Sequence, residues 1–145
     1  MKEDKAVYAV IDTNVLVSSL FSGNGQSNPA RVIRAVLSGV ITPLYSNEII
    51  EEYRDVLSRD KFKFKDEHIE ALISAFTDFG INTVRTRVVD EVFPDIDDIV
   101  FYEVTMSVDN AYLITGNAKH FPRKPFVVTP AQMVEILQEK RLLDM

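Results

Sequence analysis

Asp12 closes the apolar run Val7-Tyr8-Ala9-Val10-Ile11 and stands directly before helix-forming sequence. A short uninterrupted apolar run suits a strand buried on both faces. A carboxylate just past such a strand sits at the carboxyl end of a sheet, where open α/β proteins bind their ligands. Other polar groups recur at comparable points: Glu48, Glu51 and Glu52 after a second apolar run, Asp95, Asp97 and Asp98 at the head of a helical segment, and Gly116-Asn117 after Ala111-Tyr112-Leu113-Ile114-Thr115. Such acids could together hold a hard divalent cation, Mg²⁺ or Mn²⁺, which takes oxygen ligands and binds through a few carboxylates plus water. That cation would polarise a phosphate and lower the pKa of a bound water, so no cysteine or serine nucleophile is needed.

Each acid has a plainer reading beside the chemical one. Asp12 could cap a helix; taken with the other segments, it reads as the anchor of an acidic pocket. Glu48 and Glu51 read as a solvated helix face near a positive N-terminus. Glu52 abuts the apolar position Tyr53 and is the acid expected to turn inward. Asp97 reads equally as helix cap or ligand, Asp98 as the first choice of ligand, and Asp95 as a cap or an outer acid. Asp12-Thr13-Asn14 has no second acid two residues on, which argues against an aspartyl-phosphate enzyme.

The remaining polar residues are less pointed. His68 and His120 have no metal-ligand spacing; His68 reads as surface, and His120 reads as a structural loop residue in preference to one that touches a phosphate. Lys61-Phe62-Lys63-Phe64-Lys65 alternates cation and ring. It reads as apolar anchors with lysines in water rather than as a stacking surface for RNA. Arg31, Arg34, Lys119, Arg123 and Lys124 are the basic side chains that could line a substrate groove.

The elements that must position these groups alternate. After the first strand, a short helix spans Asn14 to Phe21, and a polar loop follows. Asn28 is the expected N-cap of a helix with Pro29 at its first position, ended by Gly39. Val40 to Tyr45 reads as a strand weakened by Pro43. Ser46 or Asn47 caps a helix with Ile49, Ile50, Tyr53, Val56 and Leu57 at helical spacing. From about Asp66 a helix carries Ile69, Leu72, Ile73, Phe76 and Phe79 until Gly80. Ile81 to Val89 has strand character. The acid-rich turn from Phe93 leads into a helix ending near Ser107. A fourth strand lies at Ala111 to Thr115 and a fifth at Phe126 to Val128. Thr129-Pro130 opens a last helix to about Leu142. Strands alternating with helices predict a mainly parallel, roughly five-stranded sheet covered on both faces.

The 145 residues predict one domain, 1–145, able to bury a core without disulfides. With 46% hydrophobic and 26% charged residues the composition is ordinary for a soluble globular chain. The absence of cysteine excludes disulfides, thiolate zinc sites and cysteine nucleophiles. No run reaches the length of a membrane span, and the charged Met1-Lys2-Glu3-Asp4-Lys5 is not expected to be a signal peptide. A net charge of −6 argues against a protein that coats nucleic acid passively, but not against a nuclease built on clustered acids.

Four segments in this order resemble the PIN-domain family, in particular its small single-domain prokaryotic members, which are similar to the ribonuclease toxins of toxin–antitoxin pairs. The segments are Val10-Ile11-Asp12-Thr13-Asn14-Val15-Leu16-Val17-Ser18; Ser46-Asn47-Glu48 with Glu52-Tyr53 and Val56-Leu57; Asp95-Ile96-Asp97-Asp98; and Tyr112-Leu113-Ile114-Thr115-Gly116-Asn117. The resemblance implies a three-layer α/β/α sandwich and metal-dependent endonucleolytic cleavage of RNA. It matches Asp12, Glu52 and Asp98 to the family's metal-holding acids, with Asp95 and Asp97 beside them. Asn117 stands where the family usually has an acid; it offers a carbonyl oxygen but no charge. Thr13, Asn14, Ser46 and Thr115 become supporting groups that orient the acids. The resemblance also implies an antitoxin partner, a homodimer and a cytoplasmic location. A rival expectation is a catalytically silent module of the same fold that binds RNA or protein, which Asn117 favours.

Overall fold

The computed structural model describes residues 6–85, 91, 93 and 95–142. Five strands form one all-parallel sheet: β1 (Val7–Ile11), β2 (Ile41–Tyr45), β3 (Ile81–Asn82), β4 (Tyr112–Ile114) and β5 (Val127–Val128), in the order β3-β2-β1-β4-β5. Six helices accompany them among the described residues: α1 (Thr13–Leu20), α2 (Asn28–Leu37), α3 (Asn47–Leu57), α4 (Asp66–Phe79), α5 (Ile99–Met106) and α6 (Pro130–Glu139). The expected α/β/α sandwich is present, with α2 packed on α1 and α6, and α3 on α4 and α5. No helix among the described residues is long and apolar enough to cross a membrane.

The strand order explains the patterning. β1 lies at the centre, so Ala9, Val10 and Ile11 are wholly buried, and β4 beside it buries Leu113 and Ile114. The chain builds outward from β1 through β2 to β3, then returns to place β4 on the other side of β1. That reversal is a topological switch point, and the crevice it opens lies beyond the carboxyl ends of β1 and β4. The parallel register pairs Ile11 with Ile114. The next residues on each strand are Asp12 and Thr115.

Local chemistry sets the element ends. The cap of α2 is Ser27, whose hydroxyl accepts from Ala30 N; this is one residue earlier than the expected Asn28, and Pro29 sits within the first turn. Thr129 caps α6 in a reciprocal box with Gln132. Pro43 is accommodated inside the sheet because it pairs only with β1 at Ala9, while the short β3 pairs only Leu44 and Tyr45. Gly80 ends α4 where a Cβ would fall against the carbonyl oxygens of Phe76 and Pro43, so the close approach of α4 to β2 needs glycine. The strand expected over 81–89 is seen at Ile81–Asn82; residues 86–89 lie outside the described ones.

Candidate functional site

Asp12 occupies the N-cap position of α1, yet its carboxylate makes no capping hydrogen bond to the helix. It is 7% exposed, and its Oδ2 accepts from Thr115 Oγ1 at 2.7 Å and from Asn14 Nδ2 at 3.1 Å. Asn14 also accepts from Gly116 N at 3.0 Å, and Asn117 N donates to Thr115 Oγ1 at 3.0 Å. The loop after β4 is thereby clipped to the start of α1 through the side chain of Asn14 and the hydroxyl of Thr115. On the other side, Tyr53 from α3 donates its hydroxyl to the carbonyl oxygen of Ile11 at 2.6 Å. Thr13 Oγ1 is buried without a hydrogen-bond partner.

Burial pushes the Asp12 carboxyl above its ordinary range, against the hydrogen bond from Thr115, the backbone at Thr13, the charge of His120 and the bond from Asn14. Asp98, at the junction of a 3-10 turn (Ile96–Asp98) and α5, is pushed up to about 6 by burial, then by the charges of Asp12 and Asp95, with His120 opposing and Glu52 adding. Glu52 is also raised, by burial first and then by Asp97 and Asp55, with Asp95 adding and Arg59 opposing. Asp98, at the start of α5, thus feels the charges both of Asp12 after β1 and of Glu52 on α3.

Asp95 settles the choice of cap in the acidic turn: its Oδ1 accepts from Asp97 N at 2.9 Å, leaving Asp97 exposed at a cleft. That cleft, of about 280 Å³, is lined by Glu48, Glu52, Arg85, Ile96, Asp97 and Val100. Ser46 accepts from Ile49 N at 3.2 Å, so its hydroxyl caps α3. Asn117 is exposed and lines a different cleft with Asn14, Ser18 and Gly116.

Arg85 gains a place here that sequence reading did not give it, and His120, read as a loop residue, gains a carboxylate neighbour. His120 Nδ1 lies 3.7 Å from Asp98 Oδ2, with the imidazole 49% exposed and the carboxylate 15%. His120 ends a 3-10 turn (Ala118–His120) that begins just after Asn117, and that spacing was its only signal. Arg85 bridges Glu48 at 3.2 Å and the buried Glu103 of α5 at 2.9 Å. No sequence periodicity marks that link, because it joins the end of β3 to two helices.

Whether a divalent cation suits these residues can be tested on the donors. Asp98 Oδ2 is buried and accepts no hydrogen bond, and its carboxyl is held high by burial and neighbouring acids. Among the described residues, no three acids or histidines stand close enough to form a ready-made cage. A hard cation bound through one or two carboxylates and otherwise by water fits this looser set; a closed structural cage does not.

A family model described as PIN domain matches residues 8–119, well over half of the chain. No curated protein and no solved structure matches.

Proposed function

Since the chain belongs to the PIN-domain family, whose fold is of nuclease type, we propose that it is a Mg²⁺- or Mn²⁺-dependent endoribonuclease. The observation that carries the reading is the pairing of Asp12 with Asp98 at the switch point: Asp12 is buried, the partly buried Asp98 carboxyl feels its charge, and one oxygen of Asp98 lacks any hydrogen-bond donor. Asp12 and Asp98 would hold the cation, with Glu52 reaching it through bound water; the cation would supply charge neutralisation at the scissile phosphate and a more acidic water. The chain's own residues prepare the place. Thr115 and Asn14 fix the Asp12 carboxylate, leaving little freedom to its side chain. Asn14 and Thr115 also hold the Gly116-Asn117 backbone against α1. His120, half exposed beside Asp98, can donate to a non-bridging phosphate oxygen. Asp95 keeps the acidic turn folded by accepting from Asp97 N, and Ser46 secures the start of α3.

Under the same proposal the protein is the toxin-like partner in a toxin–antitoxin pair, restrained by an antitoxin protein, dimeric and cytoplasmic; the family resemblance supports these roles. A second reading, a silent RNA- or protein-binding module, is favoured by Asn117 standing where an acid is usual. Incubating RNA with the wild type and with Asp12→Asn, with and without Mn²⁺, tests the first reading, with circular dichroism to check the fold. Cleavage that needs Mn²⁺ and vanishes in the variant is expected. Equal cleavage by both would remove the acidic cluster from the chemistry. Calorimetric titration with Mn²⁺ separates the silent module, which need bind no cation.

A further inference from the structure

Beside the acidic cluster, the segment from Ala118 to Lys124 and the first turn of α6 enclose a cavity of about 480 Å³. Lys119, Arg123 and Lys124 stand in its lining, while Phe121, Pro122 and Val127 give it an apolar wall. Among the described residues no acid contributes to that lining, in a chain of net charge −6. Glu91 pairs with Lys124 at 3.6 Å from outside it, with both side chains well exposed, a pairing that water weakens. The volume falls within the ~300–1,000 Å³ of small-ligand pockets. One turn of chain borders both places: Lys119 lines the cavity, and His120 Nδ1 faces Asp98 Oδ2 at 3.7 Å.

We propose that the cavity binds the nucleotide adjoining the scissile phosphate of a single-stranded RNA. Lys119, Arg123 and Lys124 hold its phosphate, and Pro122 and Val127 receive its base or ribose. The charge supplies affinity without sequence choice, and the concave, one-nucleotide shape selects splayed single strands over duplex. The assignment of RNA rests on the ribonuclease reading above, but the binding it predicts needs neither cation nor catalysis.

The test is fluorescence anisotropy of a short fluorescein-labelled oligoribonucleotide with the full chain in EDTA, across a salt series. Arg123→Ala/Lys124→Ala should weaken binding at least tenfold. It should also lower the magnitude of the slope of log K against log salt by about 0.7, for the one phosphate that is no longer neutralised. Arg123→Gln/Lys124→Gln, which keeps more of the side-chain bulk, should do the same. Arg54→Ala/Lys140→Ala removes equal charge elsewhere and should change neither quantity. Equal weakening by that control pair, unchanged binding by the cavity variants, or equal affinity for a duplex would overturn the proposal. If the cavity variants lose binding while Asp12→Asn still cleaves, the nuclease reading fails and the cavity stands. If Asp12→Asn is inert and the cavity variants bind like wild type, the cavity assignment alone fails.

Discussion

Thr115 Oγ1 donates to Asp12 Oδ2 at 2.7 Å across 103 residues of sequence. The bond follows from register: Ile11 pairs with Ile114, so the residues that leave β1 and β4 emerge side by side. It decides which face of the Asp12 carboxylate stays open, and it ties the loop carrying Asn117 to the same point.

Thr115→Val keeps the shape and removes the donor. Cation affinity and RNA cleavage should fall about 10–100-fold, the usual cost of losing a group that orients a metal ligand, while Thr115→Ser restores both. A valine variant that binds Mn²⁺ like wild type in calorimetry would show that Asp12 needs no such support.

Asp98 predicts how stability depends on pH. Its carboxyl titrates at about 6 in the folded protein against 3.8 as an unperturbed group, and Asp12 and Glu52 are raised as well. Between these values the folded state holds more protons than the unfolded state. The contribution is full below about pH 4 and is lost as pH rises through about 6. Relative to Asp98→Asn, the metal-free wild type should lose melting temperature between pH 4 and pH 7, and Mn²⁺ should restore it at pH 7. Parallel melting curves for the two proteins across that range would contradict the crowding of acids described above.

Tyr53 donates to Ile11 O at 2.6 Å from a wholly buried ring that meets Phe76 edge to face at 5.6 Å. Tyr53→Phe preserves the ring and deletes the hydrogen bond beneath Asp12. Urea unfolding should report a loss of about 1–2 kcal/mol, with the slope of the transition unchanged. A variant as stable as wild type would mean that Ile11 O is served well enough by the sheet.

Asn117→Asp adds the charge that this position lacks. Several-fold tighter Mn²⁺ binding and faster cleavage are expected if its side chain reaches the cation. Identical titrations would leave Asn117 as the exposed start of a turn and nothing more.

The sequence by itself determined the succession of elements, because apolar periodicity, caps and breakers act over a few residues. The run ending at Asp12, the Thr129-Pro130 helix start and the stop at Gly80 were all legible in this way. Neighbouring residues shifted one detail and settled another: Ser27 rather than Asn28 caps α2, and of the two expected candidates it is Asp95, not Asp97, that caps the acidic turn, since each choice turns on which oxygen meets a backbone N–H. Only the tertiary structure decided which distant groups meet. The return of the chain to lay β4 against β1 brought Thr115 to Asp12, and the packing of α5 and the turn after Asn117 set His120 before Asp98. The link from Arg85 to Glu103 likewise joins separate elements. Strand order and helix packing are long-range choices made by burial of the whole core, and no local pattern of residue types records them.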